Sequence, residues 1–241
     1  MTIASSKNCA KISSYHCHIG IGMEKKGIIF DLDGVLVDSM PTHFQAWKEA
    51  FAKIAGIEVK ERDIYLLEGM RGLDLVTRIF EQKNFSDHSL VQKVHDEKSK
   101  IFKKIRRSEP FEGAKEIVES IRCSKAVVSG STKHDVETML DDAFGKDKFN
   151  VIIAAEDIKK GKPDPSAFLE ALRRLSLKPA DGLVVENAPL GVEAANNASI
   201  DCLLVLNNTP LATSDFDRII PQDKIFEKTS KLRTIIDELC K

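Results

Sequence analysis

In the stretch GIIFDLDGVLVD, residues 27–38, an apolar run ends on Asp31, passes through Leu32 to Asp33 and meets Gly34. Two carboxylates this close repel each other unless a cation or a proton relieves them. The pair also suits group transfer: one carboxylate can attack as a nucleophile while the other moves protons as general acid and base. Three later stretches place polar groups after apolar runs: Ser129, Gly130 and Ser131 in VVSGST, Lys162 in KKGKPDP, and Glu186 with Asn187 in VVENAPLG. Each has a plainer reading as well, since Ser129 can cap a helix, Lys162 can be a surface lysine, and Glu186 with Asn187 can belong to a turn.

What these groups share is their place in the chain. Short β-rich runs occur at 27–31, 125–129, 150–154, 182–186 and 202–206, the last four separated by helix-like segments such as 132–143, 165–175 and 189–198. Apolar strands alternating with helices predict an α/β fold, a doubly wound, Rossmann-like parallel sheet covered on both faces. Such a sheet gathers ligands at the carboxyl ends of its strands, where the four polar groups fall together. Residues 32–124 break the rhythm, because a strand-to-helix connection normally takes about two to six residues. Within them Phe44, Trp47, Phe51 and Ile54 make one helical face, Leu73, Val76, Ile79 and Phe80 make another, and Pro41 suits a helix start. A helical cap over residues 40–108 is expected above the aspartates, on a core of residues 23–39 and 109–241.

Composition narrows the class. The chain has 241 residues, 36 Lys+Arg against 37 Asp+Glu, and 42% hydrophobic content. That balance lacks the basic excess of a nucleic-acid binder, and no run approaches the roughly 18 apolar residues of a membrane span. A soluble, cytoplasmic monomer is expected. The five cysteines, Cys9, Cys17, Cys123, Cys202 and Cys240, are odd in number and contain no C-x-x-C pair. They indicate neither a disulfide framework nor a zinc site, and Cys123 and Cys202 read as small core residues. Residues 1–22, without Asp or Glu, read as a poorly ordered extension. Within them His16, Cys17 and His18 are a weak metal-binding pattern, because neighbours in an extended chain point to opposite sides.

DLDGVLVD, the cap segment HFQAWKEAF at 43–51 and VENAPLG, in that order, resemble the haloacid dehalogenase superfamily of phosphotransferases. The subgroup is the one similar to β-phosphoglucomutase, with an α-helical cap after the first strand, and the resemblance runs from about Lys25 to the C-terminus. It implies that Asp31 attacks phosphorus to give an aspartyl-phosphate, and that Asp33 protonates the leaving oxygen and then deprotonates water. Gly34 would turn the chain so that backbone N–H groups approach the phosphoryl oxygens. Ser129, Gly130 and Ser131 would contact those oxygens, and Lys162 would neutralise charge on them and on Asp31.

The cofactor implied is Mg2+, held by the Asp31 carboxylate, the Asp33 carbonyl and a group from Glu186 or Asn187. Many relatives carry an aspartate where Asn187 stands, so a further oxygen is sought, and Glu68 in LLEGMRG is placed to supply it or to be a solvated turn carboxylate. His43 and Arg71 resemble substrate-facing groups of the cap. Lys98 is the member of the basic series 98–107 most suited to point inward, the rest forming a solvated face. The implied function is a magnesium-dependent phosphohydrolase for a small phosphorylated metabolite or pyrophosphate. A β-phosphoglucomutase-type mutase and a phosphate-binding protein without turnover are the alternatives.

Overall fold

The computed structural model describes residue 21, residues 24–145 and residues 147–240. Its elements, in chain order, are β1 Gly27–Asp31, α1 Met40–Ala55, α2 Glu61–Tyr65, α3 Gly72–Gln82, α4 Val91–Ile105, α5 Ala114–Ser120, β2 Ser124–Val128, α6 Lys133–Phe144, β3 Val151–Ile153, α7 Ser166–Leu175, β4 Gly182–Glu186, α8 Pro189–Asn197, β5 Asp201–Val205, β6 Ile225–Phe226 and α9 Arg233–Leu239, with short 3₁₀ turns between them.

The strands form one parallel sheet in the order β3-β2-β1-β4-β5-β6. After β1 the chain builds outward through β2 and β3, then returns to the other side of β1 for β4. The strand order therefore reverses at β1, the position where open α/β sheets leave a crevice beyond the strand ends. Every residue of β1 and β4 is buried, as a strand covered on both faces requires. Ile28 and Phe30 face the cluster that includes Ile117, Met139 and Ile236, whereas Ile29 faces the one that includes Phe168 and Val192.

The helices α1 to α4 lie between β1 and β2 and have their own apolar cluster. Trp47 and Phe51 of α1 are buried there with Val76, Ile79 and Phe80 of α3 and Val94 of α4. Pro41 sits in the first turn of α1, where its missing N–H costs no hydrogen bond. Among the described residues no helix is long and apolar enough to cross a membrane.

Several expectations from the sequence need correction. A sixth strand, Ile225–Phe226, joins the sheet edge although two residues give no readable period. Ile21, expected in a disordered extension, is 1% exposed within the core cluster. The pattern His16, Cys17, His18 lies outside the described residues. Cys202 is buried and free, as expected, but Cys123 and Cys240 form a disulfide with a Cα–Cα distance of 5.4 Å. Their separation of 117 residues hides the pairing; packing of α9 against α5 brings the end of the chain beside the start of β2.

Closing a loop of that length restricts the unfolded chain, an effect typically worth about 2–4 kcal/mol. Reduction is therefore expected to lower the thermal midpoint by the corresponding several degrees. Melts with and without reductant check this, and a Cys240→Ala variant is expected to show no response.

Candidate active site

Parallel register sets the centre of the site. Phe30 pairs with Val185 and Asp31 with Val128, so Asp31, Glu186 and Ser129 reach the same edge of the sheet. The Lys162 ammonium enters between Asp31 and Glu186 and bonds Asp31 Oδ1 and Glu186 Oε1, all three side chains being buried. Glu186 Oε2 accepts from the backbone N–H groups of Asn187 (3.0 Å) and Ala188 (3.4 Å), which occupies its second oxygen.

Burial pushes the Asp31 carboxyl up to about 8, with help from Glu186 and Asp33 and against the pull of Lys162. Burial would lower Lys162, but Asp31 and Glu186 outweigh it and hold the amine above its ordinary value.

Asp33 is treated differently by its surroundings. Ser39 Oγ (2.5 Å) and His43 Nε2 (3.1 Å) contact its Oδ1, while Ser129 Oγ (3.0 Å) and Ser131 Oγ (3.4 Å) donate to its Oδ2. Burial alone would raise this carboxyl; His43, Ser39 and Ser129 together overcome it and hold Asp33 well below the usual carboxylate range. Lys98 Nζ lies 3.0 Å from His43 Nδ1. Burial and this neighbouring ammonium lower His43, so a neutral ring that accepts at Nδ1 and donates from Nε2 fits the network. Burial brings Lys98 itself down to about 8, against the attraction of Asp33 and Asp135. The amine also lies 4.4 Å from the centre of the Phe102 ring and 5.1 Å from that of Trp47.

The helical insert closes over these groups through residues 68–71. Asn187 Nδ2 donates to Glu68 Oε2 at 2.9 Å, and the Lys162 amide donates to the Gly69 carbonyl at 3.2 Å. Gly130 makes the close approach possible, because a Cβ there would lie 2.7 Å from the Met70 carbonyl oxygen. The Arg71 guanidinium donates to the Lys159 carbonyl. Gly34 adopts φ +84°, a turn that an L side chain resists.

Between insert and core remains a cavity of about 280 Å³, lined among others by Asp31, Trp47, Lys98, Ser131, Asp135 and Glu156. This is near the lower end of small-molecule pockets, roughly 300 Å³.

Among the described residues, the buried side-chain atoms without a hydrogen-bond partner are Asp31 Oδ2, Glu68 Oε1, Asn187 Oδ1 and His95 Nδ1. Three of the four are oxygens of the same small group of residues. Orphaned buried oxygens are costly, and a set of hard oxygen donors is what magnesium takes. The donor set therefore fits the ion, with Asn187 and Glu68 offering oxygens that Glu186 does not.

Asp31, Asp33, Gly34, His43, Glu68, Arg71, Lys98, Ser129, Gly130, Ser131, Lys162, Glu186 and Asn187 meet at this seam. Four that were not singled out, Ser39, Arg106, Thr132 and Asp135, belong with them. Ser39, just before α1, bonds Asp33 instead of capping the helix. Arg106, expected in the solvated basic face, pairs with Asp135 at 3.0 Å, and Thr132 donates to the same carboxylate. An i, i+4 scan misses the Ser39–Asp33 and Arg106–Asp135 contacts, because each joins residues farther apart in the chain.

The family model for haloacid dehalogenase-like hydrolases matches residues 28–205. The chain belongs to that family. A phosphorylated carbohydrates phosphatase of Thermotoga maritima is 31% identical over 180 residues, covering 73% of this chain and 82% of that protein. A fructose-1-phosphate phosphatase of Escherichia coli is 29% identical over 182 residues, covering 73% and 94%. The structure of β-phosphoglucomutase from Clostridium difficile has a TM-score of 0.76 at 23% identity, covering 89% of this chain and 97% of that one, a likeness of fold. As a member of a hydrolase family, the chain is an enzyme.

Raised carboxyls give this haloacid dehalogenase-like core a pH signature when metal is chelated. Asp31 binds its proton more tightly folded than unfolded, so the associated stability is present at low pH and is lost as pH rises toward about 8. Asp31→Asn removes that loss. In the presence of chelator, the variant's melting temperature is expected to gain several degrees on the wild type as pH goes from 6 to 8, read by parallel thermal melts.

Proposed function

We propose that this chain is a magnesium-dependent phosphohydrolase for a small phosphorylated metabolite, with carbohydrate monophosphates the leading class and pyrophosphate the compact alternative. The observation that carries the proposal is Asp31 beside Lys162, with unpartnered oxygens of Glu68 and Asn187 completing an all-oxygen donor set. The relatives named for phosphorylated carbohydrates and fructose 1-phosphate support the substrate class.

In this scheme an Asp31 oxygen forms a bond to phosphorus as the ester oxygen departs with its electron pair. Lys162 offsets charge on Asp31 and on the transferring group. Asp33 protonates the departing oxygen; a phosphoryl dianion beside it disfavours its charged form and so supplies the protonated state this half needs. Asp33 then takes a proton from water as the water oxygen attacks phosphorus and the bond to Asp31 breaks. Its anionic, multiply hydrogen-bonded state suits that second half. Magnesium, when bound through Asp31, the Asp33 carbonyl, Asn187 and Glu68, would screen phosphoryl charge as a Lewis acid. The helical insert acts as a cap that excludes bulk water.

A phosphosugar mutase needs a seat for a second phosphate. Here the cavity wall carries Glu156 and an Asp135 already paired with Arg106, and Arg71 is engaged by Lys159. Lys98, the other cavity-lining cation, already bonds His43, so no free cationic pair is assembled for a second phosphate among the described residues, which favours hydrolysis of monophosphates.

Purified protein is expected to release phosphate from sugar monophosphates or pyrophosphate only with magnesium. Asp31→Asn is expected to lower kcat on the order of 10⁴-fold or more, and Glu68→Ala to weaken magnesium affinity roughly tenfold. Efficient interconversion of β-glucose 1-phosphate and glucose 6-phosphate without phosphate release would overturn the hydrolase assignment.

A further inference from the structure

The insert also touches the core through α2. Arg62 of α2 donates from Nη1 to Asp215 Oδ2 (2.8 Å) and from Nη2 to Asp215 Oδ1 (2.5 Å), a two-pronged ion pair across the seam. Asp215 lies in the excursion between β5 and β6. Its Oδ2 also accepts from the Ala212 amide at 2.9 Å, and its neighbour Phe216 is fully buried, so the acceptor is held rigidly by the core. The Asp215 side chain is 14% exposed and that of Arg62 47%. Isolated surface pairs contribute little, but bidentate arginine–carboxylate geometry with a fixed partner is the favourable exception.

Arg62 is mechanically joined to the loop over the active site. From Arg62 onward, backbone bonds follow turn by turn: Leu66 to Arg62 (3.0 Å), Leu67 to Ile64 (3.1 Å), Glu68 to Tyr65 (3.4 Å) and Met70 to Leu67 (3.2 Å). Tyr65, in the same short helix, belongs to the buried cluster that contains Leu211 and Phe216. A displacement of α2 therefore carries Glu68 with it. A further ion pair between these parts of the chain, Arg106–Asp135, lies just after α4 and does not fix the loop.

We infer that Arg62 and Asp215 form a clasp that seats the Glu68 loop on the core, making both of them positioning residues for the reaction. Its catalytic half rests on the proposed phosphohydrolase reading; its structural half does not. The clasp acts on the closed state of the cap, and closure completes the site.

A double-mutant cycle with Arg62→Gln and Asp215→Asn tests it, the asparagine keeping an oxygen for the Ala212 amide. Two readouts are used: kcat/KM for phosphate release, and hydrogen–deuterium exchange of a peptide containing the Lys162 amide, which bonds Gly69 only when the loop is seated. Each single variant is expected to lower kcat/KM and to speed that exchange by roughly three- to tenfold. The double variant is expected to be no worse than either single, Arg62→Lys to be intermediate, and the melting temperature to hold. Additive losses, unchanged exchange, or faster exchange with unchanged kcat/KM overturn the clasp. Should the wild type release no phosphate from any substrate while the exchange cycle behaves as expected, the phosphohydrolase reading falls and the structural clasp stands.

Discussion

One buried ammonium between two buried carboxylates governs this site. Asp31, Asp33, Glu68 and Glu186 are each less than a tenth exposed, and Lys162 is the cation buried among them. Burying charge is costly unless it is paired, and one lysine does not balance four carboxylates. The structure resolves the excess in different ways for different groups. Glu186 is used up by Lys162 and two backbone amides, Asp33 by hydroxyls and His43, and Asp31 and Glu68 are left with an oxygen each and a raised affinity for protons. The acceptors that lack a partner are those a divalent cation would take.

That balance constrains the fold beneath it. Asp31 and Glu186 stand side by side because β1 and β4 pair in one register, and a slip of one residue would turn one of them to the opposite face of the sheet. Lys162 must then arrive from the loop between β3 and α7. Three separate crossovers converge on one point, which a parallel sheet provides where its strand order reverses.

This convergence was legible in the sequence because each component is local. The runs at 27–31 and 182–186 are fully buried strands, so continuous apolar stretches mark them to the residue, and the polar group follows directly. Helices α6, α7 and α8 likewise fall within a residue or two of their apolar patterns. What escaped is either too short or non-local. Ile225–Phe226 owes its strand character to its neighbour β5, and Cys123 with Cys240 meet only through helix packing. Arg106 sits in a run whose neighbours Lys103, Lys104 and Arg107 are exposed, and its partner on α6, Asp135, distinguishes it from them.

The helical insert is coupled to this electrostatic centre at several points, with Asn187 bonding Glu68, His43 bonding Asp33 and Lys162 acting twice. Lys162 reaches Asp31 and Glu186 with its side chain while its own amide holds the Gly69 carbonyl of the covering loop. Lys162 thus contributes both to the charge balance and to the position of the loop. When the loop is seated, Glu68 adds a carboxylate to a centre already rich in them, an arrangement that is unfavourable without a counter-charge and favourable once a cation is present. On the proposed reading, closure and cation binding would reinforce each other, because both act on the same uncompensated oxygens. On the phosphohydrolase reading proposed above, the site would be complete only with a cation bound and the insert seated, and the residues facing the cavity from the insert would then decide which leaving group fits.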